Sequence, residues 1–266
     1  MAFTSEEYRT YNTRLTRFMR MYSKFIAQDL YSSIQLKFEY NQSCGEFVLI
    51  DGGKKIDVLI YLYKLFIALM NQKNDEKILE ELFSSFDEII QVYLDSCQEN
   101  KKSGDLIYQK ISEKTYNISF KPIEDFLNNK FLITMFVMFN QALEKTSSLI
   151  NSSSYITGHL KGLGKIKFTE NSYYIVQSLY EFHNAVSHLY IALKSSNDDR
   201  NNINKAASHL LRGILDAIKN CIQLSNLTEE QKKELIELRI EEFNSIGINT
   251  LDNDKKNILV NYMYLL

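Results

Sequence analysis

Residues 181–190 read EFHNAVSHLY and hold two of the chain's four histidines, with an asparagine beside the first. Imidazole titrates near neutrality, so it can both take and give a proton in general acid–base chemistry. The segment is patterned as a helix, with Ile175, Leu179, Phe182, Val186, Leu189 and Leu193 along one apolar stripe. His188 shares a polar flank with Asn184, Gln177 and Glu181, and His183 lies nearer the core border. Five residues of helix turn the two imidazoles roughly 140° apart, so they cannot grip one metal ion as histidines four apart would. Asn184 and His188, four apart, face the same way, which makes an amide-supported imidazole the candidate acid–base group. The next segment, NINKAASHLLRGILDAIKNC, places Lys205, His209, Arg212 and Asp216 on a polar face of its own. Antiparallel packing of the two segments would bring these polar faces together. In the simpler alternative, Arg212 and Asp216 form a surface ion pair one turn apart and the histidines cap the edge of the core.

The elements that must hold these groups read as helices. One proline, Pro122, and nine glycines in 266 residues are too few turn formers for an all-β or α/β chain. Thr4 with Glu7 forms a capping box that opens a long amphipathic helix over residues 4–40. SCGEFVLIDGG reads as a short strand ending in a turn. A buried helix over 54–71, an amphipathic one over 75–98 and a shorter one over 104–115 follow. Pro122 sits at the first turn of a helix that runs to residue 150. Residues 151–172, polar and holding three of the nine glycines, form a loop or linker. Helices over 173–196, 201–224, 228–246 and 252–264 complete the chain. The expected fold is an all-α multi-helix bundle in two helical halves, 1–150 and 173–266, with one short strand or hairpin.

Within the second half, HNAVSH resembles the signature of HEPN domains, helical bundles common in prokaryotic toxins, defence systems and CRISPR effectors. The family's usual motif is an arginine, often followed by asparagine, then three residues, then histidine. His188 stands at the motif histidine and Asn184 at the polar position, while His183 occupies the place of the arginine. The resemblance covers residues 170–225 and implies one of two functions. The first is a non-enzymatic or regulatory interaction module of a toxin or anti-phage defence system, bound to a protein partner or to a second copy of itself. The second is a metal-independent RNase working as a dimer and acting through His188 with Asn184, with His183 at the motif's arginine position and Arg212 of the neighbouring segment supplying the charge that the arginine would carry. His209, Asp216 and Glu181 would surround that site. Neither reading calls for a cofactor or a metal.

A second candidate is the basic stripe Arg9, Arg14, Arg17, Arg20 and Lys24, opposite the apolar arc that runs from Tyr8 to Ile26. No acidic residue lies between Tyr8 and Gln28. The stripe suits a phosphate backbone, a solvated face or a protein contact. For the last, the ridge Glu230, Glu234, Glu237 and Glu241 offers a partner within one chain or across a dimer. GHLKGLGK is not a phosphate-binding loop: five residues separate Gly158 from Gly164, and Ile166 follows Lys165 where a hydroxyl residue belongs.

Composition narrows the class further. Hydrophobic residues make up 45% and charged residues 24%, and the net charge is −2, so any polyanion site is local. Cys44, Cys97 and Cys221 form neither a disulfide framework nor a zinc knuckle and fit a reducing compartment. The acidic start MAFTSEEYR is unlike a signal peptide. The runs IDVLIYLYKLFIALM and FLITMFVMF are too short to cross a bilayer. The expectation is a cytoplasmic protein with no membrane contact.

Overall fold

A computed structural model describes residues 5–29, 37–41, 46–51, 53–70, 76–96, 130–152, 172–194, 200–244 and 253–265. Eight helices and one antiparallel hairpin make up these residues. In chain order they are α1 (Ser5–Asp29), β1 (Lys37–Asn41), β2 (Glu46–Asp51), α2 (Gly53–Met70) and α3 (Glu76–Ser96), then α4 (Lys130–Ser152), α5 (Ser172–Lys194), α6 (Arg200–Leu224), α7 (Glu229–Asn244) and α8 (Asn253–Leu265). The architecture is an all-α multi-helix bundle. The expected helix over 104–115, the turn at Pro122 and the glycine-bearing GHLKGLGK lie outside the described residues.

The first helix is shorter than its expected 4–40. It ends at Asp29, and residues 37–41 are a strand paired with β2 through Phe38↔Leu49 and Tyr40↔Phe47. The helical stripe stops at Ile26, and KFEYN, which alternates polar and apolar residues with a period of two, becomes a strand by pairing with EFVLID. The strand read into SCGEFVLIDGG is β2, which hands the chain directly to α2.

One continuous core runs from Leu15 on α1 to Leu265 on α8. Its centre is aromatic. The Phe66 ring of α2 lies 5.4 Å from Phe18 of α1, 4.8 Å from Phe136 of α4 and 5.7 Å from Phe182 of α5. Each of these rings is at most 1% exposed, and burying one contributes about 1.5–3 kcal/mol. Helices on both sides of the 151–172 segment therefore share this core. Helix α2 is apolar on several sides because α1, α3 and α5 all pack on it.

The closest helix pairing is α5 with α6, followed by α4 with α6. Ser178 Oγ donates to the Gly213 carbonyl, and Gly213 has no room for a side chain: a Cβ there would stand 2.6 Å from the Phe139 ring of α4 and 3.2 Å from Glu181 Cβ. A glycine at this point lets three helices close together. Helix α7 opens with a capping box in which Thr228 N donates to Gln231 Oε1 and Gln231 N donates to Thr228 Oγ1. Gln231 also donates to the Leu265 carbonyl at 3.2 Å, and Tyr262 donates to Glu242 at 2.8 Å, which fastens α7 to α8.

Candidate functional site

Helices α5 and α6 run antiparallel. Seven residues forward on α5, from Glu181 to His188, correspond to seven residues back on α6, from His209 to Asn202. Seven residues make about two helical turns, so each pair of polar residues falls on one stripe, and the two stripes face each other along a seam. This is the convergence that the polar faces of the two segments predict.

At one end of the seam, Glu181 Oε2 lies 2.6 Å from His209 Nδ1. The Glu181 side chain is only 11% exposed, and a carboxylate this buried requires a partner. Arg212 approaches both members, with one terminal nitrogen 3.1 Å from His209 Nδ1 and its Nε 3.9 Å from Glu181 Oε2. A guanidinium only donates and an ionised carboxylate only accepts, so Nδ1 cannot serve both. The shorter, charge-assisted contact decides: Nδ1–H donates to Glu181, and Arg212 acts through its charge. The second ring nitrogen of His209 is left to carry or release a proton.

At the other end, His188 Nδ1 lies 2.9 Å from Asn202 Oδ1; with the amide oxygen as acceptor, Nδ1–H donates to it. The two rings stack, with centroids 5.2 Å apart and planes 20° from parallel. Both are half-buried, while Arg212 and Lys205 are exposed on α6 one turn to either side of His209. The result is a pair of anchored imidazoles with the Arg212 guanidinium and the Glu181 carboxylate against one of them, a set of groups able to move protons.

The remaining candidates fall elsewhere. His183 is buried on the opposite flank of α5, among the rings of Tyr22 and Phe25 of α1, with centroids at 5.7 and 5.4 Å. The Tyr22 hydroxyl donates to the His183 carbonyl at 3.0 Å and lies 3.0 Å from its Nδ1. With its single proton spent on the carbonyl, the hydroxyl accepts from Nδ1–H. His183 is thus a core residue and does not stand beside His188. Asn184 is half-buried with its carbonyl bonded to Ser187 Oγ; the amide that holds His188 is Asn202 of the neighbouring helix. Asp216 is half-buried. Burial holds its carboxyl above the ordinary carboxylate range, and the charges of Glu181 and Glu242 push the same way, against Lys219 and Arg212. The surface ion pair between Arg212 and Asp216 gives way to the contacts of Arg212 with His209 and Glu181. Asn202 is the site residue that sequence reading missed. Its signal is the two-turn spacing from His209.

The basic stripe of α1 has an internal partner, and it is α3 rather than the glutamate ridge of α7. Arg14 meets Glu76 at 2.9 Å, Arg17 meets Glu80 at 2.7 Å and Lys24 meets Asp87 at 3.3 Å. The Arg17 guanidinium also lies 4.2 Å over the Phe83 ring. Arg20 is exposed, and the side chain of Arg9 lies outside the described residues. Among the described residues no group of three or more histidine, cysteine, aspartate or glutamate side chains is arranged to hold a metal ion. No described helix is long and apolar enough to cross a membrane.

No known protein family, curated protein or solved structure matches the chain. The site therefore rests on its own geometry.

Proposed function

We propose that the α5–α6 seam is an acid–base centre that cleaves RNA, within a HEPN-like bundle of a prokaryotic toxin or anti-phage defence system acting in the cytoplasm. The observation that carries this reading is the stacked pair of imidazoles, His188 and His209, each with Nδ1 held by a side chain of the opposite helix. In the reaction, one imidazole takes the proton of a ribose 2′-hydroxyl as its oxygen attacks the adjacent phosphorus. The other gives a proton to the departing 5′-oxygen. The products are a 2′,3′-cyclic phosphate and a free 5′-hydroxyl, so atoms and protons balance without a co-reactant. Arg212 stands beside the rings to meet the phosphate charge, in place of the arginine that position 183 lacks. Glu181 and Asn202 are positioning residues: each fixes a tautomer.

The test is cleavage of single-stranded RNA by the purified full chain in the presence of a chelator. Removal of one acid–base group lowers such a rate by roughly 10²–10⁴-fold. His188→Ala and His209→Ala are each expected to fall in that range, and Arg212→Ala is expected to weaken RNA binding as well. Cleavage unchanged in both histidine variants overturns the reading.

A second reading, a non-enzymatic interaction module, is favoured by a separate observation. Arg14, Arg17 and Lys24 are ion-paired with acids of α3 at the surface, so much of the charge of this basic stripe is already answered within the chain. A chain that binds no RNA and cleaves none would leave this reading in place.

A further inference from the structure

Helix α7 has two apolar faces. Leu238 is buried and Gln231, Leu235 and Glu242 are half-buried on the side that packs on the rest of the bundle. On the opposite side Ile236, Ile240 and Phe243 are 60%, 55% and 73% exposed. Spacings of four and three residues align these three on one stripe. Glu230, Glu234, Glu237 and Glu241 run along one edge of the stripe, all exposed, with the exposed Lys233 beside them, and none of the four is ion-paired to another described residue. The other edge carries Lys232 and Arg239, each held by a glutamate of the same helix, Glu229 and Glu242. The stripe of α1, the chain's own basic face, is engaged with α3 and does not answer the ridge.

We propose that this face of α7 docks an amphipathic helix of a partner protein, one whose apolar stripe is flanked by lysine or arginine on the side that meets the glutamate ridge. Helix-on-helix recognition of this kind reads apolar anchors at three- and four-residue spacing, and flanking charges choose the partner. A second copy of the chain fits less well. Antiparallel self-pairing would set one glutamate ridge against the other, and parallel pairing would need Lys232 and Arg239 to leave the glutamates that hold them.

The experiment uses the full chain and two labelled synthetic helical peptides with the same leucine stripe, one flanked by lysine and one by glutamate. Fluorescence anisotropy reads binding, and light scattering reads the state of the free chain. The lysine-flanked peptide is expected to bind at least tenfold more tightly and to weaken as salt rises. Joint Ile240→Ser and Phe243→Ser substitution, at exposed positions that leave the fold intact, is expected to cost at least tenfold. Reversal of the four ridge glutamates to lysine is expected to invert the peptide preference. Equal binding of the two peptides, or none, overturns the proposal. So does a dimer that Phe243→Ser dissolves.

Discussion

His183 and His188 belong to the same helix and meet different neighbours, because α5 is buried over more than half of its circumference. The separation of roughly 140° carries His183 to the flank that meets α1 and His188 to the flank that meets α6. Tyr22→Phe tests the division. It removes the hydroxyl that His183 and its carbonyl share, a loss of about 1–3 kcal/mol for a buried polar group left unpaired. Urea melts should show that loss, while RNA cleavage per folded molecule stays unchanged. Asp57 on α2 offers a pH test. Burial lifts its carboxyl from 3.8 to about 6. A carboxyl raised by folding favours the fold while protonated, so its contribution is full below pH 3.8 and is lost as pH rises through about 6. Asp57→Asn should therefore stabilise the protein above that window by about 1 kcal/mol, after screening at a partly exposed site is allowed for. Below the window, melts of the two proteins should coincide. At this scale, residue type and spacing put His183, Asn184 and His188 in one group, whereas the place of His183 in the core and the pairing of His188 with Asn202 depend on neighbouring helices.

Among the elements, periodicity identified faces and left their neighbours open. The apolar stripes of α2, α3, α5 and α6 marked real helices, and the facing stripes of α5 and α6 marked a real seam. The arginine stripe of α1 was visible too. Its acidic partner was not, since the rows on α3 and α7 are both spaced to match it and only packing against α2 selects α3. The overlong first helix has a similar cause: the strand in KFEYN forms because EFVLID is there to pair with it. Gly213 is the test at this scale. In Gly213→Ala, the gain in helix propensity is at most about 1 kcal/mol, whereas overpacking costs about 1–3 kcal/mol. The variant should melt at lower temperature. Because the new methyl presses on Glu181 as well as Phe139, RNA cleavage should fall with it. A rise in melting temperature would mean that α6 is free to move away from α4 and α5.

Taken whole, the molecule is a helical bundle with one aromatic core, a polar seam between two of its later helices, and an exposed Ile–Phe stripe on α7. The all-α class was legible in the scarcity of proline and glycine. The shared core was less so, because the polar 151–172 segment looks like a boundary, whereas Phe182 packs on Phe66, and Phe139 closes on Gly213, across it. In a chain with a net charge of −2, the seam presents one cation, Arg212, against His209. The most direct measurement is the rate at which the purified protein cuts single-stranded RNA in chelator, wild type against His188→Ala and His209→Ala. A loss of about 100-fold or more in each variant, with unchanged melting, is the expected result. Equal rates in all three proteins, or no cleavage by the wild type, would contradict it.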